Sequence, residues 1–326
     1  MTTYSFSEYM KRFFENYLLN QRNLSTYTIK SYKTTFKLFI NYLISEKNIK
    51  IKNINFDIFT RENIIDFLNY LENNLKSSII TRNQRLAAIK SFCNYVLEED
   101  VENHIDLLRI LKISKKKAES KEIDYLTKDE LNKYLSVIST DNRKGVRDYT
   151  LINLLYDSGC RESELINIKV NDLDLDNNPC VTLYGKGRKH RTIPITYETR
   201  NLINKYIKLF RLSNYDYLFC GNGSNKASSK MIVHIVKKYA KLSKINKNIH
   251  PHVFRHSRAM HMLENNIALI DISNFLGHSS VTTTEIYAKA NIELKRKAIQ
   301  AVYPIDENID YEWNKDSEIL KSLFEL

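Results

Sequence analysis

Glycine and proline are scarce in this 326-residue chain, at 7 and 4 positions, which disfavours an all-β fold built on tight turns. No apolar run approaches the roughly 20 residues of a membrane-spanning helix. Glu8, Lys11 and Arg12 break any apolar stretch at the start, so neither an anchor nor a signal peptide is expected and the protein should stay in the cytoplasm. The four cysteines, Cys93, Cys160, Cys180 and Cys220, lack metal-type spacing and sit in apolar surroundings. Buried free thiols are therefore expected rather than disulfides or ligands. There is no G-x-x-x-x-G-K-[ST] phosphate loop and no obvious acidic cluster for two metal ions. No metal and no cofactor is expected.

What the chain has in surplus is positive charge and helical periodicity. Lys and Arg number 50 against 38 Asp and Glu, a balance of +12 that suits a polyanionic partner. Over residues 1–111 the apolar side chains recur at helical spacing. Phe6, Tyr9, Met10, Phe13, Phe14 and Tyr17 form one stripe, and Ile29, Tyr32, Phe36, Phe39, Ile40 and Leu43 another behind a cap at Ser25 or Thr26. Thr60 caps a third helix, and a fourth follows Ser77 and Ser78, burying Ile79, Leu86, Ile89, Phe92 and Val96. Residues 112–122 carry Lys115, Lys116, Lys117 and Glu119 with few apolar neighbours, which reads as a solvated linker, either a plain surface loop or a strap along DNA.

A second domain is expected over 123–303. Thr127 with Glu130 makes a capping box. Val181 to Tyr184, then Gly185-Lys186-Gly187, then Thr192 to Ile195 read as a β-hairpin, with glycines where positive φ is wanted. Helical periodicity resumes from Tyr197 to Ala301. Residues 304–326 form an acidic tail with an apolar stripe of Ile319, Leu320, Leu323 and Phe324. So short a helix needs a surface to dock on.

Four segments of the second domain carry chemistry. They are Gly159-Cys160-Arg161-Glu162-Ser163-Glu164-Leu165, Gly185-Lys186-Gly187-Arg188-Lys189, Pro251-His252-Val253-Phe254-Arg255-His256, and Leu276-Gly277-His278 leading to Thr283-Thr284-Glu285-Ile286-Tyr287. Singly, each has a plain explanation. An arginine or histidine after a glycine is commonly a surface residue or a helix cap, a lysine at a hairpin tip is commonly just exposed, and Tyr287 is one of 21 tyrosines.

Together and in this order, these segments resemble the tyrosine recombinases, especially the bacterial Xer-type members. The family pattern runs G-x-R-x-S-E-L, G-K-G, P-H-x-x-R-H and L-G-H-S-x-x-x-T-T followed by I-Y. The helical part resembles the family's core-binding, SAM-like domain more weakly, through Leu24-Ser25-x-x-Thr28-Ile29-x-x-Tyr32 and Thr81-Arg82-Asn83-x-x-Leu86. The implied architecture is mainly α with a small antiparallel β-sheet, a two-domain DNA clamp of core-binding and catalytic domains.

The resemblance also implies roles. Tyr287 attacks the phosphodiester and leaves a 3′-phosphotyrosine, conserving bond energy so that no nucleotide is needed. Arg161 and Arg255 clamp the phosphate with planar N–H forks. His252 is the acid/base candidate, Lys186 the general acid and His278 a donor to the phosphate, with Glu164 and His256 as supports. Thr28, Arg82, Asn83, Arg188, Lys189 and Arg191 are candidate DNA contacts. The implied partner is double-stranded DNA with paired inverted half-sites, bound by a homo-tetramer or a heterotetramer with a related recombinase. Recombination through a Holliday junction follows from the family, and the tail docks either on its own domain or, by family precedent, in a neighbouring protomer. No arm-binding domain is expected ahead of the bundle, and the acidic tail favours service to a mobile element over a chromosome. Two competing expectations are a type IB topoisomerase, which merely swivels and reseals, and a catalytically silent DNA-binding protein, which would have lost one of the six key residues.

Overall fold

A hydroxyl or amide side chain stands one position ahead of many of the helices and accepts a backbone N–H that the first turn leaves unpaired. The structure, a computed structural model, describes residues 4–101, 104–118, 123–185, 190–221 and 226–278, with Thr284 and Tyr287. Ser25, Thr60, Ser78, Asn142, Thr196 and Ser228 each accept from the residue three positions on. Thr127 and Glu130 close their reciprocal box as expected. The chain divides into two units, residues 1–120 and 121–326.

In the first unit, α1 (Phe6–Arg12) runs directly into a π-helical stretch, Phe13–Gln21, that the apolar pattern alone does not distinguish from α-helix. Helices α2 (Thr26–Ser45), α3 (Arg61–Asn73), α4 (Ile79–Glu99) and α5 (Leu107–Leu111) complete the bundle. Its core is aromatic, with Phe6, Phe13, Phe36 and Phe59 all ringed around Phe92. Helix α4 buries side chains on several faces, including Ala88, Cys93, Tyr95 and Leu97. Ile79, at its start, stays only half-buried.

The segment read as a solvated linker is docked at its beginning. Ile113 is buried in the first core. The Lys116 backbone exchanges two hydrogen bonds with the Asn83 side chain, at 3.0 and 2.8 Å, and its ammonium lies 2.9 Å from Glu72.

The second unit contains α6 (Lys128–Ser136), α7 (Arg143–Asp157), the single turn α8 (Glu162–Leu165), strands β1 (Leu173–Asp174), β2 (Cys180–Tyr184) and β3 (His190–Pro194), then α9 (Tyr197–Phe210), α10 (Ser229–Ser243), α11 (Pro251–Glu264) and α12 (Leu269–Leu276). The strands form one antiparallel sheet in the order β1-β2-β3, with Val181 opposite Ile193 and Thr182 opposite Thr192. The period-2 alternation sends Val181, Leu183 and Ile193 into the core. The hairpin thus forms where expected, with a third short strand added. Positive φ is found at Gly159 and Gly277.

Helix α7 is the spine of this unit, buried through Val146, Leu151, Ile152, Leu154 and Leu155. Its last residue, Asp157, accepts the Thr196 backbone N–H at 2.7 Å and pairs with Arg258 at 3.2 Å. That carboxylate ties the start of α9 to α11, the helix that carries much of the site. All four cysteines are free thiols; Cys93 and Cys160 are buried, Cys180 and Cys220 half-buried. Among the described residues no helix is long and apolar enough to cross a membrane.

Candidate active site

Two helix ends and the middle of a third helix build the site. After α7 the chain turns through Gly159 at φ +56, where a Cβ would press within 3.0 Å of Leu276 and 3.2 Å of Phe275. Glycine therefore answers both a backbone and a packing need. The turn delivers Arg161 to the N-cap of α8. After α12 the chain turns again through Gly277 at φ +64, delivering His278. Between them, α11 presents His252, Arg255 and His256, three and four residues apart and so on adjoining faces.

Arg255 is 3% exposed. Its two terminal nitrogens donate to the Gly159 and Leu276 carbonyls, both at 2.7 Å. Burial, then the nearby Arg161, pulls its pKa down to about 10, still far above neutrality. Arg161 donates to Glu164 Oε1 at 3.1 Å and to the Gly277 carbonyl at 3.3 Å, and its side chain remains partly open to solvent.

Glu164, 4% exposed, is the anion at the centre. It accepts the Arg161 backbone N–H at 2.8 Å and a two-pronged bond from Arg191 at 2.9 and 3.0 Å. Burial pushes the carboxyl upward, but these bonds and charges, those of Arg191 first, hold it below the usual range. It is ionised and fully partnered.

Tyr287 is 1% exposed and sits among Ala259, Met260, Leu263, Ile272 and Leu276. Its hydroxyl lies 2.9 Å from His256 Nδ1. Burial raises the phenol pKa, while Arg255 and Arg161 pull the other way. His256 is pushed down to about 4 by burial, then by His252 and His250, so it is neutral at pH 7. His278 is likewise pushed to about 4, by burial and then by Arg255 and Arg161, and its Nδ1 lies 2.8 Å from Thr284 Oγ1. His252 is exposed at the first turn of α11, its pKa lowered by partial desolvation and then by His250 and Arg255.

The structure thus brings Arg161, Glu164, Arg255, His256, His278 and Tyr287 into one connected cluster. Lys186, Arg188 and Lys189 lie outside the described residues. The four described candidates for DNA contact each have partners within the chain. Arg191 is turned inward onto Glu164 and the Phe275 carbonyl, because a buried carboxylate holds it there. Arg82 is buried on α4 with its Nε 2.8 Å from Glu72, and Asn83 is taken up by the Lys116 backbone. Thr28, half-buried, shares a hydroxyl contact with Ser25 at 2.9 Å. The direct contact of His256 with Tyr287 and the inward turn of Arg191 were not read from the sequence. The four-residue spacing of His256 from His252 was the available signal for the first. Among the described residues no cluster of three or more His, Cys, Asp or Glu is placed to hold a metal ion.

Comparison with known proteins sets this geometry in a family. Residues 124–293 match the Phage integrase family, and residues 11–100 match the Phage integrase, N-terminal SAM-like domain. A tyrosine recombinase of Pseudothermotoga lettingae is 32% identical over 280 residues, 84% of this chain and 91% of its own length. Tyrosine recombinase XerC of Staphylococcus epidermidis is 30% identical over 288 residues, 87% of this chain and 93% of that one. Among solved structures, XerH bound to a palindromic difH substrate superposes with a TM-score of 0.69 at 23% identity, covering 86% of this chain and 81% of that one. The Tn1549 transposon integrase, in complex with transposon right end DNA, follows at TM-score 0.66 and 18% identity, covering 90% and 98%. These two structures share the fold. Because the family match spans more than half of the chain and the relatives align along most of both partners, the protein belongs to the phage integrase family and is a tyrosine site-specific recombinase that cleaves and rejoins DNA.

Proposed function

We propose that Tyr287 is the nucleophile, held in its resting state by His256 and aimed at a phosphate that Arg161 and Arg255 clamp. The observation that carries this reading is the buried Tyr287 hydroxyl, 2.9 Å from His256 and within the field of Arg161 and Arg255. The Tyr287 oxygen attacks phosphorus, the bond to the 5′-oxygen breaks, and a 3′-phosphotyrosine forms. The charge that builds on the non-bridging oxygens is met by the two guanidinium groups, each contributing on the order of 3–4 kcal/mol. The phenol proton leaves to a neutral histidine, with His252 the acid/base candidate, while Lys186 returns a proton to the leaving oxygen and His278 donates to the phosphate. None of these steps needs a metal ion or a nucleotide.

The same proposal extends to assembly. The helical domain (1–111) and the catalytic domain (123–303), joined through residues 112–122, clamp one half-site of an inverted pair. A tetramer, of this chain alone or with a related recombinase, exchanges strands through a Holliday junction in the cytoplasm. A lambda integrase tetramer bound to a Holliday junction shares this fold at TM-score 0.64 and 16% identity and supports the reading. The Tn1549 integrase, with its transposon end, supports service to a mobile element. The tail stripe of Ile319, Leu320, Leu323 and Phe324, outside the described residues, docks on a neighbouring protomer.

The test is covalent capture. Duplexes retained by the Tyr287→Phe protein from a random pool are nicked in turn across their centres and incubated with wild-type protein in EDTA. An SDS-stable, protease-sensitive adduct at a 3′-phosphate is expected, and none with Tyr287→Phe. An adduct formed by the Phe variant assigns the nucleophile to another tyrosine, and an absolute need for Mg²⁺ points to different chemistry.

A further inference from the structure

Glu164 lies between two arginines that compete for it. Arg161 reaches it with one guanidinium bond, 3.1 Å, from a side chain that is partly open to solvent. Arg191 reaches it with a two-pronged fork at 2.9 and 3.0 Å from a side chain that is far more enclosed. Arg191 is fixed from a third direction by Nε, which donates to the Phe275 carbonyl at 3.1 Å. Its guanidinium also packs against Gly277, where an added Cβ would come within 2.8 Å. The fork geometry and the enclosure make Arg191 the stronger partner.

A carboxylate buried this deeply cannot be left without a counter-ion; removing its partner costs about 3–5 kcal/mol. If Arg161 alone served Glu164, turning toward a phosphate would strip the carboxylate of its charge partner. The arginine would then be held back by the residue that orients it. From this geometry we infer that Arg191 is a positioning residue: it neutralises Glu164 and thereby leaves Arg161 free to close on the scissile phosphate. This rests on the reading of Arg161 as a phosphate clamp. The charges agree with it. Arg161, Arg191 and Arg255 face the single carboxylate of Glu164, so one guanidinium is consumed internally and two remain for the incoming anion. Among the hydrogen bonds that hold Glu164 ionised, those from Arg191 act most strongly.

A merely structural Arg191, stitching β3 to α12, predicts something different. In that case removing the carboxylate would not repair its loss. The experiment measures single-turnover adduct formation on the nicked, protein-selected duplex for Arg161→Ala, Arg191→Ala, Arg191→Lys, Glu164→Gln and the double variant Arg191→Ala/Glu164→Gln. Gel shifts on the same duplex and thermal melts accompany each. Arg161→Ala should lose on the order of 10²–10³-fold in rate, the usual cost of a missing oxyanion donor. Arg191→Ala should lose about 10- to 100-fold while still binding the duplex, since Arg161 is captured rather than absent. Arg191→Lys, which keeps the charge but loses the fork, should fall between that and wild type. The double variant should recover to the rate of Glu164→Gln alone, because no carboxylate is left to capture Arg161.

A double variant as slow as Arg191→Ala, or an Arg191→Ala protein as fast as wild type, overturns the inference while leaving Arg161 in place. An Arg161→Ala protein that cleaves normally removes the underlying reading instead. If Arg191→Ala fails to fold, Arg191→Lys with and without Glu164→Gln decides: rescue supports the inference, and no rescue overturns it.

Discussion

Acid should destabilise the catalytic unit before it titrates an ordinary carboxylate, because two histidines of the site resist protonation. His256 and His278 each fall from an ordinary value of 6.5 to about 4 in the folded chain. The sign follows from linkage. Above pH 7 neither state binds the proton and the two rings contribute nothing to pH dependence. Between 6.5 and 4 the unfolded chain takes up protons that the folded chain refuses, so stability is lost as pH falls through that window. Each group costs about 1.4 kcal/mol per pH unit there. From pH 6.5 to pH 5 the pair therefore removes at most about 4 kcal/mol, and solvent screening of these half-buried rings brings this nearer to about 2 kcal/mol. His252 and His261, also lowered, add in the same direction. Urea unfolding followed by circular dichroism at pH 7.5, 6.5, 5.8 and 5.0 reads the slope (values chosen to span roughly the titration window). The double variant His256→Asn/His278→Asn should make it shallower, leaving the part that His252 and His261 contribute. A wild-type stability that stays level from pH 7 to pH 5, or a slope as steep in the double variant as in wild type, refutes the reasoning.

Two further outcomes follow from packing. Gly277→Ala places a Cβ within 3.0 Å of the Arg191 guanidinium and forces alanine to φ +64, so a loss of about 1–2 kcal/mol is expected from the left-handed backbone alone. Adduct formation should slow with it, and a thermal melt with the capture assay checks both. Phe92→Ala empties the aromatic centre of the first unit, where four phenylalanine rings meet it at 5.3–5.6 Å. A cost of about 3–5 kcal/mol is expected, read as a lower urea midpoint of the full chain.

Helix starts were legible because capping is local: Ser25, Thr60, Ser78 and Thr127 need only their own next three residues. The cluster was legible for a related reason. Arg161, His252, Arg255 and His278 each sit in a short context that a glycine turn or a helical spacing explains. What stayed hidden depends on distant partners. Arg191 and Arg82 look like surface cations in any local window. Glu164 lies 27 residues before Arg191, and Phe275 lies 84 after it. Arg82 turns inward because Glu72, on the neighbouring helix α3, waits there. The π-helical stretch Phe13–Gln21 was hidden because its aromatic stripe satisfies an α-helical period equally well.

The two arginine forks rest on peptide oxygens at the ends of α7 and α12: Gly159 and Leu276 for Arg255, Gly277 for Arg161. A peptide oxygen has no gene-encoded alternative and no protonation equilibrium at any pH the protein survives. Substitutions that accumulate in the flanking sequence can change every neighbouring side chain and still leave these acceptors in place, provided the two glycine turns keep their shape. The aim of the forks is thereby insulated from drift, and a descendant of this chain can rewrite its DNA-facing surface for a new target without rebuilding the place where strands are cut.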